Sequence, residues 1–158
     1  MLDNRKVIID DECCLNDNSG SEAIVVSSAG SVDGVAKVFD TGGGYTSGMI
    51  FCYVSTKTKS ASSLSNHTIE ILLQGSTTST FTANVKLARV VKFGNVSGTQ
   101  NAETTGSTSS TQDGTGLYRQ PFHNDFAGTI YRYLRAYALF AGTVGETDLR
   151  FKMWLSKQ

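Results

Sequence analysis

Apolar and polar residues alternate without a break near the end of the chain. Leu149, Phe151, Met153 and Leu155 fall on one parity, and Arg150, Lys152, Trp154 and Ser156 on the other. Successive side chains of a strand point to opposite faces, so this pattern predicts an antiparallel strand with one face on a core. A slip of one residue would expose the whole apolar set, which holds the register. Ile69, Ile71 and Leu73 alternate with Glu70 and Gln74 in the same manner, and Leu72 is an apolar residue on the outer side. In Ile130–Ala141, Ile130, Arg132, Leu134, Ala136, Ala138 and Phe140 share one parity, and Tyr131, Tyr133, Arg135, Tyr137 and Leu139 the other. Neither face is fully polar. One is expected on the core and the other against a partner, a loop or a second chain. In Thr82–Phe93, Val85, Leu87, Val91 and Phe93 share a parity with Arg89, a charge that predicts a bend, a bulge or a sheet rim.

Read this way, the chain gives candidate strands at Lys6–Asp10, Glu22–Ser28, Val35–Phe39, Met49–Thr56, Thr68–Gln74, Thr82–Phe93, Leu117–Phe122, Ile130–Ala141 and Leu149–Ser156. Helical periodicity is nearly absent. The expected fold is all-β, a two-sheet antiparallel sandwich of jelly-roll type, formed by residues 1–158 as one domain. Two stretches break the pattern. Asp40–Gly48, with three consecutive glycines, reads as a flexible loop. Asn95–Gly116 has Val96 as its only large apolar residue besides the start of the next strand, and reads as a long flexible excursion.

Composition sharpens the class. A chain of 158 residues buries roughly 70% of its unfolded surface as one domain, so it needs no metal or disulfide to hold a core. Ser and Thr number 18 each, against 18% charged residues and a single Pro, a balance that favours strands over helices. The 14 basic and 14 acidic residues cancel, so no global field draws the protein to nucleic acid or to a membrane. The opening residues show no apolar run of the signal-peptide kind, and no segment is long and apolar enough to span a bilayer. Three cysteines, with Cys13 and Cys14 adjacent and Cys52 alone, argue against a disulfide framework and for synthesis in a reducing cytoplasm.

Catalytic chemistry finds little to work with. His123 precedes Asp125 by two residues, but a nucleophile would have to be chosen among 18 serines, and no Gly-x-Ser-x-Gly elbow is present. His67 stands alone at the start of a strand. Adjacent Cys13 and Cys14, beside Asp10–Glu12, lack the spacing and the second pair that structural zinc requires. The glycines of Asp40–Gly48 lead into a strand rather than a helix, and no Lys-Ser/Thr follows them, so a phosphate cradle is not expected. No catalytic residue, metal or cofactor is therefore assigned.

The last two strands carry a resemblance. The stretch YRYLRAYALFAGTV (131–144) is similar to the RYLRL…AGT element of the Bbp16-like capsid cement proteins of tailed bacteriophages. The opening MLDNRKVIIDDE resembles the leading strand of that family, and IEILLQGS (69–76) its mid-chain strand and turn. The motifs cover about thirty residues, and the Thr/Ser-rich stretch and the cysteine pair depart from the pattern. The resemblance implies a jelly-roll-like, non-enzymatic subunit on the outside of a phage head, binding the major capsid protein and associating with itself as a homodimer or homotrimer. Clustered aromatics are favoured at interfaces, and Tyr45, Tyr131, Tyr133 and Tyr137 are the expected contributors. The alternative is a carbohydrate- or receptor-binding sandwich of a tail fibre or adhesin, with Phe122–Phe126 (FHNDF) as its site.

Overall fold

The structure is a computed structural model that describes residues 13–17, 24, 26–59, 68–96, 99–100, 115–141 and 147–157. The predicted strand Lys6–Asp10 lies outside them. In chain order the strands are β1 (Cys14–Asp17), β2 (Ser28–Ala29), β3 (Ser31–Val32), β4 (Val35–Ala36), β5 (Phe39–Asp40), β6 (Ser47–Lys59) and β7 (Thr68–Ser76). They continue with β8 (Val85–Val96), β9 (Thr99–Gln100), β10 (Gly116–His123), β11 (Asp125–Phe126), β12 (Thr129–Ile130), β13 (Tyr133–Ala141) and β14 (Thr147–Lys157). No α-helix occurs among the described residues.

Two antiparallel sheets share one core, as expected of a sandwich. The first has four strands in the order β1-β14-β6-β10, and the second runs β2-β13-β7-β8-β9 with β5 also on β13. From the first sheet, Leu149, Phe151, Met153, Leu155, Ile50, Cys52 and Val54 are fully buried. Ile71, Leu73, Leu134, Ala136 and Ala138 meet them from the second. The parity of β14 thus points as the alternation predicted, and in β13, where either face could have met the core, it is that of Leu134, Ala136 and Ala138.

Several boundaries move, each for a local reason. The predicted strand Glu22–Ser28 is represented by a single bridge from Ile24 to Leu149 and by β2. Val35–Phe39 divides, because Val35–Ala36 closes a hairpin with β3 while Phe39–Asp40 pairs with β13. Ile130 leaves its predicted strand for the small β11–β12 hairpin, whose Ala127 and Gly128 both adopt positive φ (51° and 77°). Asn95 and Val96 complete β8 and pair with β9, so the predicted loop Asn95–Gly116 begins as sheet; residues 101–114 lie outside the described set.

Strand β8 resolves the anomaly at Arg89. Its register on β7 shifts twice, with Leu87 and then Val90 as the extra residue. Each bulge inverts the parity that follows it. Arg89 therefore faces out toward Glu70, while Ala88, Val90, Val91 and Phe93 are buried, so the row of odd positions read from the sequence is not one face. A third bulge lies where β14 passes β6, and the Ser55 hydroxyl there donates to the Arg150 carbonyl at 3.3 Å. Asn16, fully buried, plugs the matching irregularity in β1 by donating its amide to the Phe151 carbonyl and accepting from the Ser31 N–H at 3.1 Å.

Candidate functional site

The four tyrosines singled out by the sequence occupy two neighbouring regions. Tyr133 and Tyr137 lie half-buried on the outer face of β13. Arg135 stands between them and is occupied from within the chain. Its guanidinium lies 4.3 Å from the Phe81 ring centroid and 5.1 Å from that of Tyr137, while its Nε donates to Gln74 at 2.9 Å. Burial lowers the pKa of Arg135. Phe81 holds a left-handed backbone (φ 53°) to make this contact, a conformation that costs a bulky side chain about 1–2 kcal/mol. Further along the same face Glu70 gathers Lys86, Lys92 and Arg89 at 3.6, 3.8 and 3.9 Å. Leu72, read as an outer apolar residue, sits in this layer with only 3% of its surface exposed.

Tyr45 belongs to a cluster of turns at one end of the sandwich. It is 63% exposed and stacks at 6.5 Å on His123, the last residue of β10. Beside it the β11–β12 hairpin presents Phe126 and Ile130 to solvent. The glycine-rich stretch Asp40–Gly48 is not the free loop that its composition suggested. Asn124, with no exposed surface, donates to the Gly44 carbonyl (2.8 Å), the Tyr131 carbonyl (3.1 Å) and the Thr41 hydroxyl (3.4 Å). Its Oδ1 accepts from the Thr46 N–H at 2.7 Å. Asp40 adds a bidentate pair with Arg132, both contacts at 2.8 Å. Hydrogen bonds from Arg132 and then from the Gly42 N–H hold the Asp40 carboxyl at about 2. The same pairing raises the pKa of Arg132. One side chain and one ion pair thus turn a run of glycines into a fixed platform under Tyr45.

The larger aromatic surface was missed. It is the outer face of the four-stranded sheet, which alternation in β14 hinted at through Trp154 and Lys152. Strand register places Trp154 opposite Phe51, and Phe51 opposite Arg119. The Trp154 and Phe51 rings stack at 5.7 Å and 8°, and the Arg119 guanidinium lies 5.7 Å from the Phe51 centroid. The adjacent row is Lys152, Tyr53 and Leu117, with Tyr53 47% and Leu117 48% exposed. The sequence signal was present in the outward parity of β6 and β10. It could be assembled only once those strands were known to be neighbours. Trp154 Nε1 is buried on this face with no acceptor.

His123 and Asp125 flank the scaffold residue Asn124, and no group of three His, Cys, Asp or Glu side chains among the described residues is disposed to hold a metal. All three cysteines are buried, and desolvation pushes the Cys52 thiol far above its ordinary pKa. Among the described residues no helix is long and apolar enough to cross a membrane, a statement that leaves strands aside. Comparison with protein-family models, with curated proteins and with solved structures finds no match to this chain.

Proposed function

We propose that the chain is a phage head decoration protein that binds the outer surface of the capsid and bridges neighbouring major capsid protein subunits. The reading joins the resemblance carried by the last two strands to one structural observation. A sandwich stiffened by a continuous core presents Trp154, Phe51, Tyr53 and Arg119 together on the outer face of its four-stranded sheet. Trp, Tyr and Arg are the residue types that carry most binding energy at protein interfaces. A sheet face also holds them in place, so little side-chain freedom is lost on docking.

The mechanism is reinforcement by binding. A subunit bound across two capsomers contributes a term that is lost when they separate, and every 1.4 kcal/mol multiplies the binding constant about tenfold. Self-association into a dimer or trimer would multiply the contacts through effective concentration. Such a protein works on the virion exterior and needs no cofactor, nucleic acid or membrane.

The carbohydrate alternative gains no support from its named site, since the Asn124 amide within FHNDF is committed to the chain's own backbone. Co-sedimentation with purified, empty, expanded heads tests the decoration reading. Binding at micromolar concentration and saturation at hundreds of copies per particle is the expected result. No co-sedimentation, or saturation at a handful of copies, would remove it.

A further inference from the structure

We propose that the outer face of the four-stranded sheet is the docking surface, and that its partner is a protein surface rich in carboxylates. The choice of the shell as the natural partner rests on the decoration reading; the choice of face and of partner charge rests on geometry.

Charge is segregated despite the formal net charge of zero. Arg119 and Lys152 both project from the outer side of the sheet, from β10 and β14. Among the described residues the carboxylate nearest in register is Asp17, opposite Lys152 at the sheet edge. Its two oxygens accept instead from the Asp33 N–H at 3.3 and 3.2 Å. Arg119 and Lys152 have no ion-pair partner there. On the outer face of the other sheet Lys86, Arg89 and Lys92 converge on Glu70, while Arg135 lies against Phe81, Tyr137 and Gln74. A field of cations set among aromatics favours an acidic partner and steers its approach.

Ring geometry leaves no stacking site on Phe51 itself. A base or a sugar ring stacks on an open aromatic face. Phe51 has none to offer, because Trp154 covers one side and Arg119 the other. The ring edges, with Tyr53, Leu117, Met49 and Pro121 around them, form an apolar relief of the kind a protein surface fits. A second copy docked face to face would set one cationic face against another, a like-charge arrangement that costs affinity.

The experiment uses Trp154, the only tryptophan in the chain, as a reporter seated on the face. Emission and acrylamide quenching are followed as the full-length protein is titrated with empty expanded heads and, separately, with poly-L-glutamate, poly-L-lysine and oligo-dT. The expected result is protection of Trp154 by heads and by poly-L-glutamate, but by neither of the others. Binding should weaken about tenfold or more in R119E/K152E, and also on raising salt from about 50 to about 500 mM. A K86E/K92E control on the opposite sheet should bind as wild type. Heads that bind with Trp154 unprotected, and bind R119E/K152E equally well, would overturn the inference while leaving decoration intact. Heads that fail to bind would remove the decoration reading, and the poly-L-glutamate titration would still decide the charge of the partner. Preference for oligo-dT, or concentration-dependent protection by the protein alone, would replace the acidic protein with nucleic acid or a second copy.

Discussion

Replacing Asn124 isolates the contribution of a single buried amide to the end of the sandwich that carries Tyr45. In Asn124→Ala the backbone bonds of residue 124 to Thr46 and Tyr131 persist, since they do not use the side chain. Three groups lose their partner: the N–H of half-buried Thr46 and the carbonyls of half-buried Tyr131 and exposed Gly44. Each unsatisfied group costs about 1–3 kcal/mol, less where water can enter. The turns lie close to solvent, so a total loss of about 2–4 kcal/mol is expected. Asn124→Asp sharpens the test. Its carboxylate keeps the bond from Thr46 but sets a negative oxygen against two carbonyls, which raises the folded-state pKa above the unfolded one. Stability then rises as pH falls, because the protonated acid regains a donor, and is lost as pH climbs through the raised value. Urea denaturation of wild type and both variants at pH 4 and pH 7 gives the magnitudes, and amide exchange at Thr46 reports the bond directly. A loss below about 1 kcal/mol in both variants, or unchanged Thr46 protection in Asn124→Ala, would refute the account.

Other consequences follow from the core and the turns. Phe151→Ala empties the largest fully buried site and should cost about 3–5 kcal/mol in a denaturant midpoint measurement. Gly75→Ala would bring a methyl within 2.7 Å of Leu87 Cδ1 and 2.9 Å of Tyr131 Cβ. Leucine can turn aside but the tyrosine β-carbon cannot, so a loss of about 1–3 kcal/mol is expected, readable as a lowered melting temperature. The Asp40–Arg132 contact is present above the unfolded carboxyl value of 3.8 and is lost as pH falls through about 2. An NMR titration should find the Asp40 carboxyl at that depressed value, and Arg132→Ala should return it toward the ordinary range.

The sequence by itself determined the fold class and the inward face of the last strand. The alternation of Leu149, Phe151, Met153 and Leu155 needs only a period of two to be read, and these four are fully buried. In β13 both parities carry apolar residues, so only packing showed that Leu134, Ala136 and Ala138 face the core. Periodicity fails where the backbone inserts a residue. The bulges at Leu87 and Val90 invert the faces of β8, and nothing in the local pattern announces how many residues oppose one across the strand gap. Composition misread Asp40–Gly48 as loose, because the hydrogen bonds that fix it come from Asn124, some eighty residues away. Only the tertiary structure decided which outward side chains become neighbours. Phe51, Arg119 and Trp154 come from separate strands, and register alone lays them in one row. Net charge is a sum over the chain and keeps no record of position; folding places Arg119 and Lys152 on one face without a paired carboxylate among the described residues.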